Sequence, residues 1–108
     1  MALPTSCPEQ QIQRAVFQHI RARGVRGLFA FHPANGGYRR RTEAAILKGL
    51  GVVAGVPDII LIDRARVFGL ELKAEGGRPT TGQGDAMRAM AAAGATVAWA
   101  AGLDAALA

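Results

Sequence analysis

A single cysteine, Cys7, stands in the whole chain. An intrachain disulfide is therefore excluded, which fits a reducing interior. Cys7 also lacks a metal-ligating neighbour, so no thiolate site is expected. No apolar run approaches the roughly 20 residues of a membrane span, and no membrane partner is expected. The N-terminus has no basic region followed by an apolar stretch, so a secretory leader is not expected and the cytoplasm is the expected location. No internal repeat and no linker divides the sequence. Acids are in deficit, with 8 Asp and Glu against 13 Lys and Arg, giving a net charge of +5. Lysine is scarce too: only Lys48 and Lys73 are lysines, and the other basic residues are arginines. The planar fork of arginine donates two hydrogen bonds at once and suits phosphate. Such a surface points to nucleic acid, with a merely solvated basic surface as the bland alternative. Apolar residues make up 50% of the sequence, which excludes a disordered tail. A chain of 108 residues argues for one domain, residues 1–108, burying roughly 65% of its unfolded surface.

Ser6-Cys7-Pro8-Glu9 has the pattern of a capping box with proline in the first turn. Ile12, Val16 and Ile20 recur every fourth position, which predicts an amphipathic helix to about Arg23, ended by Gly24. Gln10 and Gln13 are read as solvated, and His19 as a surface or partly buried residue. Leu28 to His32 is a short apolar run and the first expected strand. Pro33 to Gly37 breaks it. Tyr38-Arg39-Arg40-Arg41 then offers an aromatic and three guanidinium groups on a loop, suited to a phosphate backbone and a stacked base or sugar. A solvated basic loop is the alternative. Of the two histidines, His32 is the better candidate for a site, although a histidine at a strand end is usually structural. Thr42 is expected to cap a short helix over residues 43–48, stopped by Gly49 and Gly51.

Two strand-length apolar runs follow, from Asp58 to Asp63 and from Val67 to Lys73, around Arg64-Ala65-Arg66. Side chains at i and i+2 share a face of a strand, so Glu71 and Lys73 point one way and Leu70 and Leu72 the other. Pairing as an antiparallel hairpin brings Asp58 opposite the Glu71 region. Two carboxylates and an ammonium then share the open end of the hairpin. Oxygen donors of this kind suit a hard divalent cation such as Mg²⁺ or Mn²⁺. The alternative is Asp58 as a strand-start turn residue and Glu71–Lys73 as an exposed ion pair. Residues 74–79, with Arg78 among them, read as loop. Thr80 to Gln83 matches a second capping box, opening a helix to about Ala93 with Ala86, Met87, Met90 and Ala91 as its apolar stripe. Thr96 to Ala100 is the last clear strand, and residues 103–108 a terminal helical turn or two. A strand–helix–strand unit from 67–73 through 80–93 to 96–100 makes its two strands parallel, so the fold class is α/β with a central mixed sheet flanked by helices.

Pro57-Asp58 followed by Glu71-Leu72-Lys73 resembles the PD-(D/E)xK nuclease signature. With the early helical Glu9, Asn35-Gly36, Gly55-Val56-Pro57-Asp58 and Gln83 in order, residues 8–100 resemble the VRR-NUC branch of that superfamily, found in virus-type replication and repair nucleases. The resemblance implies a restriction-endonuclease-like fold and a metal-dependent DNA endonuclease acting in DNA repair. It implies catalytic roles for Asp58, Glu71, Lys73 and Gln83. Asp58, Glu71 and the Leu72 carbonyl become ligands of Mg²⁺ or Mn²⁺, with Glu9 a further metal-site acid and not only a cap residue. Gln83, which as a cap residue only closes the helix end, reaches back to the Lys73 side of the site. Asn35, Tyr38, Arg39, Arg40, Arg41 and Arg78 form the expected nucleic-acid contacts. The implied substrate is branched DNA, a Holliday junction or flap, and a homodimer would suit symmetric cutting of a four-way junction. A nucleic-acid-binding module without catalysis, or a subunit of a restriction-type endonuclease, are the competing expectations.

Overall fold

The computed structural model describes residues 8–24, 26–34 and 41–107. The expected cap at Ser6, the Asn35-Gly36 turn, and Tyr38, Arg39 and Arg40 fall outside the described residues. The elements are α1 (Pro8–Arg23), β1 (Phe29–Phe31), α2 (Arg41–Gly49), β2 (Ile59–Asp63), β3 (Arg66–Lys73), α3 (Thr81–Ala92), β4 (Thr96–Ala101) and α4 (Leu103–Leu107). One four-stranded sheet has the order β1-β2-β3-β4. β1 and β2 are antiparallel, β2 and β3 form the antiparallel hairpin, and β3 and β4 run parallel across α3. The mixed α/β sheet is the one the residue pattern implies. None of the described helices is long and apolar enough to cross a membrane.

Each face of the sheet has its own helical cover. On one face, Ile12 and Val16 of α1 bury against Ile59 and Leu72, with Phe17, Ile20, Leu70 and Leu107 packed around them. Burial of side chains this size is worth about 1.5–3 kcal/mol each, so this cluster anchors the hairpin to α1. On the other face lies α3, with Ala86 and Met87 buried. Gly69 lets Pro57 and Met90 close over the sheet there: a Cβ at Gly69 would meet Pro57 Cγ at 2.9 Å and Met90 Cε at 3.2 Å.

Three local expectations are corrected. Helix α2 starts at Arg41, so Thr42 lies inside it and is not its cap. Arg41 is a good helix former, and Glu43 still falls in the first turn, where the positive helix end favours an acid. The stripe of α3 is narrower than expected, because Ala91 is exposed and Met90 only half-buried. Ala86 and Met87 carry the burial, with Met90 reaching the sheet only at Gly69. Finally, Arg66 belongs to β3 and not to the turn; it pairs with Asp63 at 3.2 Å and lies over the Phe68 ring at 5.9 Å.

That leaves Arg64 and Ala65 as a two-residue turn, with φ of 50° and 68°. Two positive φ values are the geometry that matches hairpin twist, and glycine or asparagine suits it better than alanine. Ala65→Gly is therefore expected to stabilise the protein by about 0.5–1 kcal/mol after the entropy of the unfolded chain is counted. A thermal melt should show a rise of roughly 2–4 °C; an unchanged or lower midpoint would contradict the strain.

Candidate active site

The hairpin register decides what meets what. Ile59 pairs with Leu70, so one step outward Asp58 stands opposite Glu71 on the same sheet face. The pairing stops at Ile59: the chain bends at Asp58, and Pro57, which has no N–H to give to a ladder, folds over Gly69. The Leu72 N–H instead donates to Asp58 Oδ2 at 2.8 Å. Within a strand the N–H and C=O of one residue point to the same side. The Leu72 carbonyl thus faces the same edge, beside Asp58.

The loop that delivers Asp58 is held from the other side. Gly55 has φ of 81°, and a Cβ there would meet the Gly82 carbonyl oxygen at 2.6 Å. The approach of Gly55 to the first turn of α3 fixes Asp58 relative to Gln83. Gly55→Ala is expected to cost about 2 kcal/mol or more, because the backbone sign and the contact both oppose a side chain. Denaturant unfolding would measure it, and a loss below roughly 0.5 kcal/mol would mean the loop simply relaxes.

Glu71 lies in the interior, only 1% exposed. The alternative of an exposed Glu71–Lys73 ion pair is thereby corrected: the strand face that Glu71 occupies is roofed by α3. Gln83 Nε2 donates to Glu71 Oε1 at 3.3 Å. The same amide closes the expected capping box, its Oε1 accepting from the Thr80 N–H at 2.8 Å while the Thr80 hydroxyl accepts from the Gln83 N–H at 3.2 Å. Gln83 therefore closes the cap and also reaches Glu71, not the Lys73 side. Glu71 Oε2 is buried with no hydrogen-bond partner. Burial, then the neighbouring Asp58 carboxylate, push the Glu71 carboxyl up from 4.5 to about 8, with Lys73 opposing.

Lys73 ends β3 with its ammonium 3.9 Å from Glu9 Oε1. Glu9, in the first turn of α1, thus comes to the site as the partner of Lys73. His32, just past β1, donates from Nδ1 to the Asp58 carbonyl at 2.6 Å. Its strand-end position left it ambiguous in the sequence; the β1–β2 pairing is what brings it to Asp58. Glu9, Gln10, Gln13, Arg14, His32, Ala34 and Asp58 line an open cleft of about 630 Å³. Gln13 is accordingly half-buried in the cleft wall and not simply solvated. His19 is exposed, as expected, and so is Arg78. Arg41 begins α2, with its side chain outside the described residues, and no contact of Arg78 with the site is described.

Among the described residues, no three His, Cys, Asp or Glu side chains converge as a ligand set. The donors at the hairpin end are the Asp58 and Glu71 carboxylates and the Leu72 carbonyl. All are oxygens, which fits a hard divalent ion better than zinc or copper. The orphaned Oε2 of Glu71 fits it as well, since a buried carboxylate oxygen without a donor calls for a proton or a cation.

Neither a family model nor a curated protein matches the sequence. The fold is similar to a solved structure described as "VRR_NUC domain protein", with a TM-score of 0.76 and 26% identity over 96% of this chain and 85% of that one. A second, described as "VRR_NUC domain", gives a TM-score of 0.62 at 16% identity over 94% of this chain and 91% of that one, a likeness of fold alone.

Proposed function

We propose, from the premise that this chain folds as a VRR-NUC domain, that it is a divalent-metal-dependent DNA endonuclease selective for branched DNA. The observation that carries the reading is the buried Glu71 carboxylate, short of a donor, beside Asp58 at the open end of a hairpin. A protein does not keep such a pair for stability, because in a dry place the two carboxyls cannot both ionise without repelling each other. Sites that work on charged intermediates keep them.

In this reading Asp58, Glu71 and the Leu72 carbonyl hold Mg²⁺ or Mn²⁺. The ion, when bound, supplies Lewis acidity at the scissile phosphate and makes a water acidic enough to react near neutral pH. Gln83 fixes the Glu71 carboxylate from behind. Lys73, steered by Glu9, faces the phosphate and offsets the charge that grows on its oxygens. Asp58 takes its orientation from the Leu72 N–H, and His32 secures the backbone of Asp58. Glu9 lies near enough to assist an ion through water. Asn35, Tyr38, Arg39, Arg40, Arg41 and Arg78 would grip the strand on either side. Arginine contacts of this kind read backbone path and not base identity, which favours selection by DNA shape. Symmetric cutting of a four-way junction needs two sites, and a two-fold homodimer would supply them.

The test is cleavage across labelled single strands, duplexes, flaps, forks and four-way junctions with Mn²⁺, Mg²⁺ or chelator. Cleavage by the wild-type chain, lost with chelator and in a folded Asp58→Ala variant, supports the proposal. Binding without cleavage in any metal would leave a nucleic-acid-binding module instead. Cutting at one fixed duplex sequence would point to a restriction-type subunit.

A further inference from the structure

Trp99 is the only tryptophan in the chain, and it is 46% exposed. A ring this large left half in water is an informative departure from burial, since tryptophan is more often found covered or at a binding surface. Its place is specific. β3 and β4 run parallel with Glu71 paired to Trp99, so the two side chains share one sheet face. Their backbones are one strand spacing apart, about 4.8 Å. Trp99 forms one wall of a groove of about 550 Å³ between β4 and α3, with Thr80, Gly84, Met87 and Arg88 opposite. Gly84 leaves room for the Arg88 guanidinium, which lies against it; an added Cβ would meet Nη1 at 3.4 Å. Arg88 is 73% exposed and pairs with Asp85.

An apolar ring, a cation on the facing helix and a slot of that size match one ligand chemistry: an unpaired nucleobase on a phosphate backbone. A duplex presents no free base face, whereas a strand splayed at a branch does. We propose that the β4–α3 groove is a base-stacking subsite, in which Trp99 receives an unpaired base of the strand whose phosphate lies at Asp58 and Glu71, with Arg88 at its backbone. The inference rests on the nuclease reading and adds to it a fixed point that holds a single-stranded arm next to the cut.

Trp99 reports on itself, because its emission has no other tryptophan to compete with. The full chain, with chelator present to prevent cutting, is titrated with end-labelled oligothymidine about 12 nucleotides long. Anisotropy of the label gives binding, and tryptophan emission gives contact with the ring. Saturable quenching in step with the anisotropy is expected. Trp99→Leu is expected to weaken binding roughly tenfold, and Trp99→Phe to recover most of it. On the same strand made abasic, wild type and Trp99→Leu should bind alike, because the missing contact is to bases. Circular dichroism of both variants establishes that the fold is kept, and Trp99→Phe carries the conclusion if Trp99→Leu fails to fold. Binding without quenching, with Trp99→Leu as tight as wild type, overturns the subsite while leaving the nuclease reading intact. An effect of Trp99→Leu that persists on the abasic strand also overturns it. So does a fall in molecular mass for Trp99→Leu with unchanged binding, which would make the groove a contact with a second copy. Loss of cleavage on every substrate with quenching retained would sink the nuclease reading and leave the stacking site standing.

Discussion

Lys73→Met is expected to slow cleavage by about a hundred- to a thousandfold while leaving divalent-ion binding unchanged. The reason lies in where the ammonium sits. Its side chain is 12% exposed, at the end of the strand that carries Glu71, with Glu9 3.9 Å away. A largely desolvated cation acts through a weaker dielectric than water, so its influence on charge growing at phosphorus is large. Methionine keeps the length and removes the charge, which isolates the electrostatic effect. Asp58→Ala should lose at least as much activity, but for a different reason: it removes an oxygen donor and the acceptor of the Leu72 N–H together. Ion-induced stabilisation should therefore vanish in Asp58→Ala and persist in Lys73→Met. Lys73→Arg should fall between, since the charge remains but the fork is longer and planar. Glu9 is more exposed than Lys73, and an exposed ion pair is worth under about 1 kcal/mol, so Glu9→Gln should cost far less. A Lys73→Met variant cleaving within about threefold of wild type would remove Lys73 from the chemistry.

Much of this site was legible in the sequence because strand geometry is so restrictive. The period of two put Glu71 and Lys73 on one face, and a short gap between two apolar runs favoured a hairpin. Those two facts bring Asp58 to Glu71 without any knowledge of the helices. The capping box at Thr80–Gln83 was equally direct, because its spacing follows from the orphan N–H groups of a helix start. The burial of Glu71 was not legible. It depends on α3 folding back over the strand end, a tertiary event with no local signature. For the same reason His32 stayed ambiguous until β1 took the edge beside β2, and Trp99 drew no attention as one apolar residue in an alternating strand. The contact of Gly55 with Gly82 joins a loop to a helix start 27 residues away, and neither glycine signals it alone.

Glu71→Gln should abolish cleavage and, in the absence of metal, make the protein more stable above neutral pH. The folded carboxyl titrates at about 8, against 4.5 for the ordinary group. Between those values the folded state holds a proton that the unfolded chain has released. Stability from this group is therefore complete below about pH 4.5 and declines as pH rises through 8. A shift of this size corresponds to a few kcal/mol across the window. Glutamine carries no proton to lose and can still accept from Gln83, so its unfolding free energy should be nearly flat where the wild type falls. A divalent ion should reverse the order. Held by the ionised carboxylate, as proposed, it would at a hundred times its dissociation constant stabilise the fold by about 2.7 kcal/mol. For a domain of this size that is a rise of roughly 10 °C in the wild-type midpoint at pH 8, absent in Glu71→Gln. Melting curves for both proteins at pH 5 and pH 8, with and without Mn²⁺, contain the whole experiment. Parallel pH dependence in the two proteins would show that Glu71 does not carry the buried proton. Equal stabilisation of both by Mn²⁺ would show that the ion binds elsewhere.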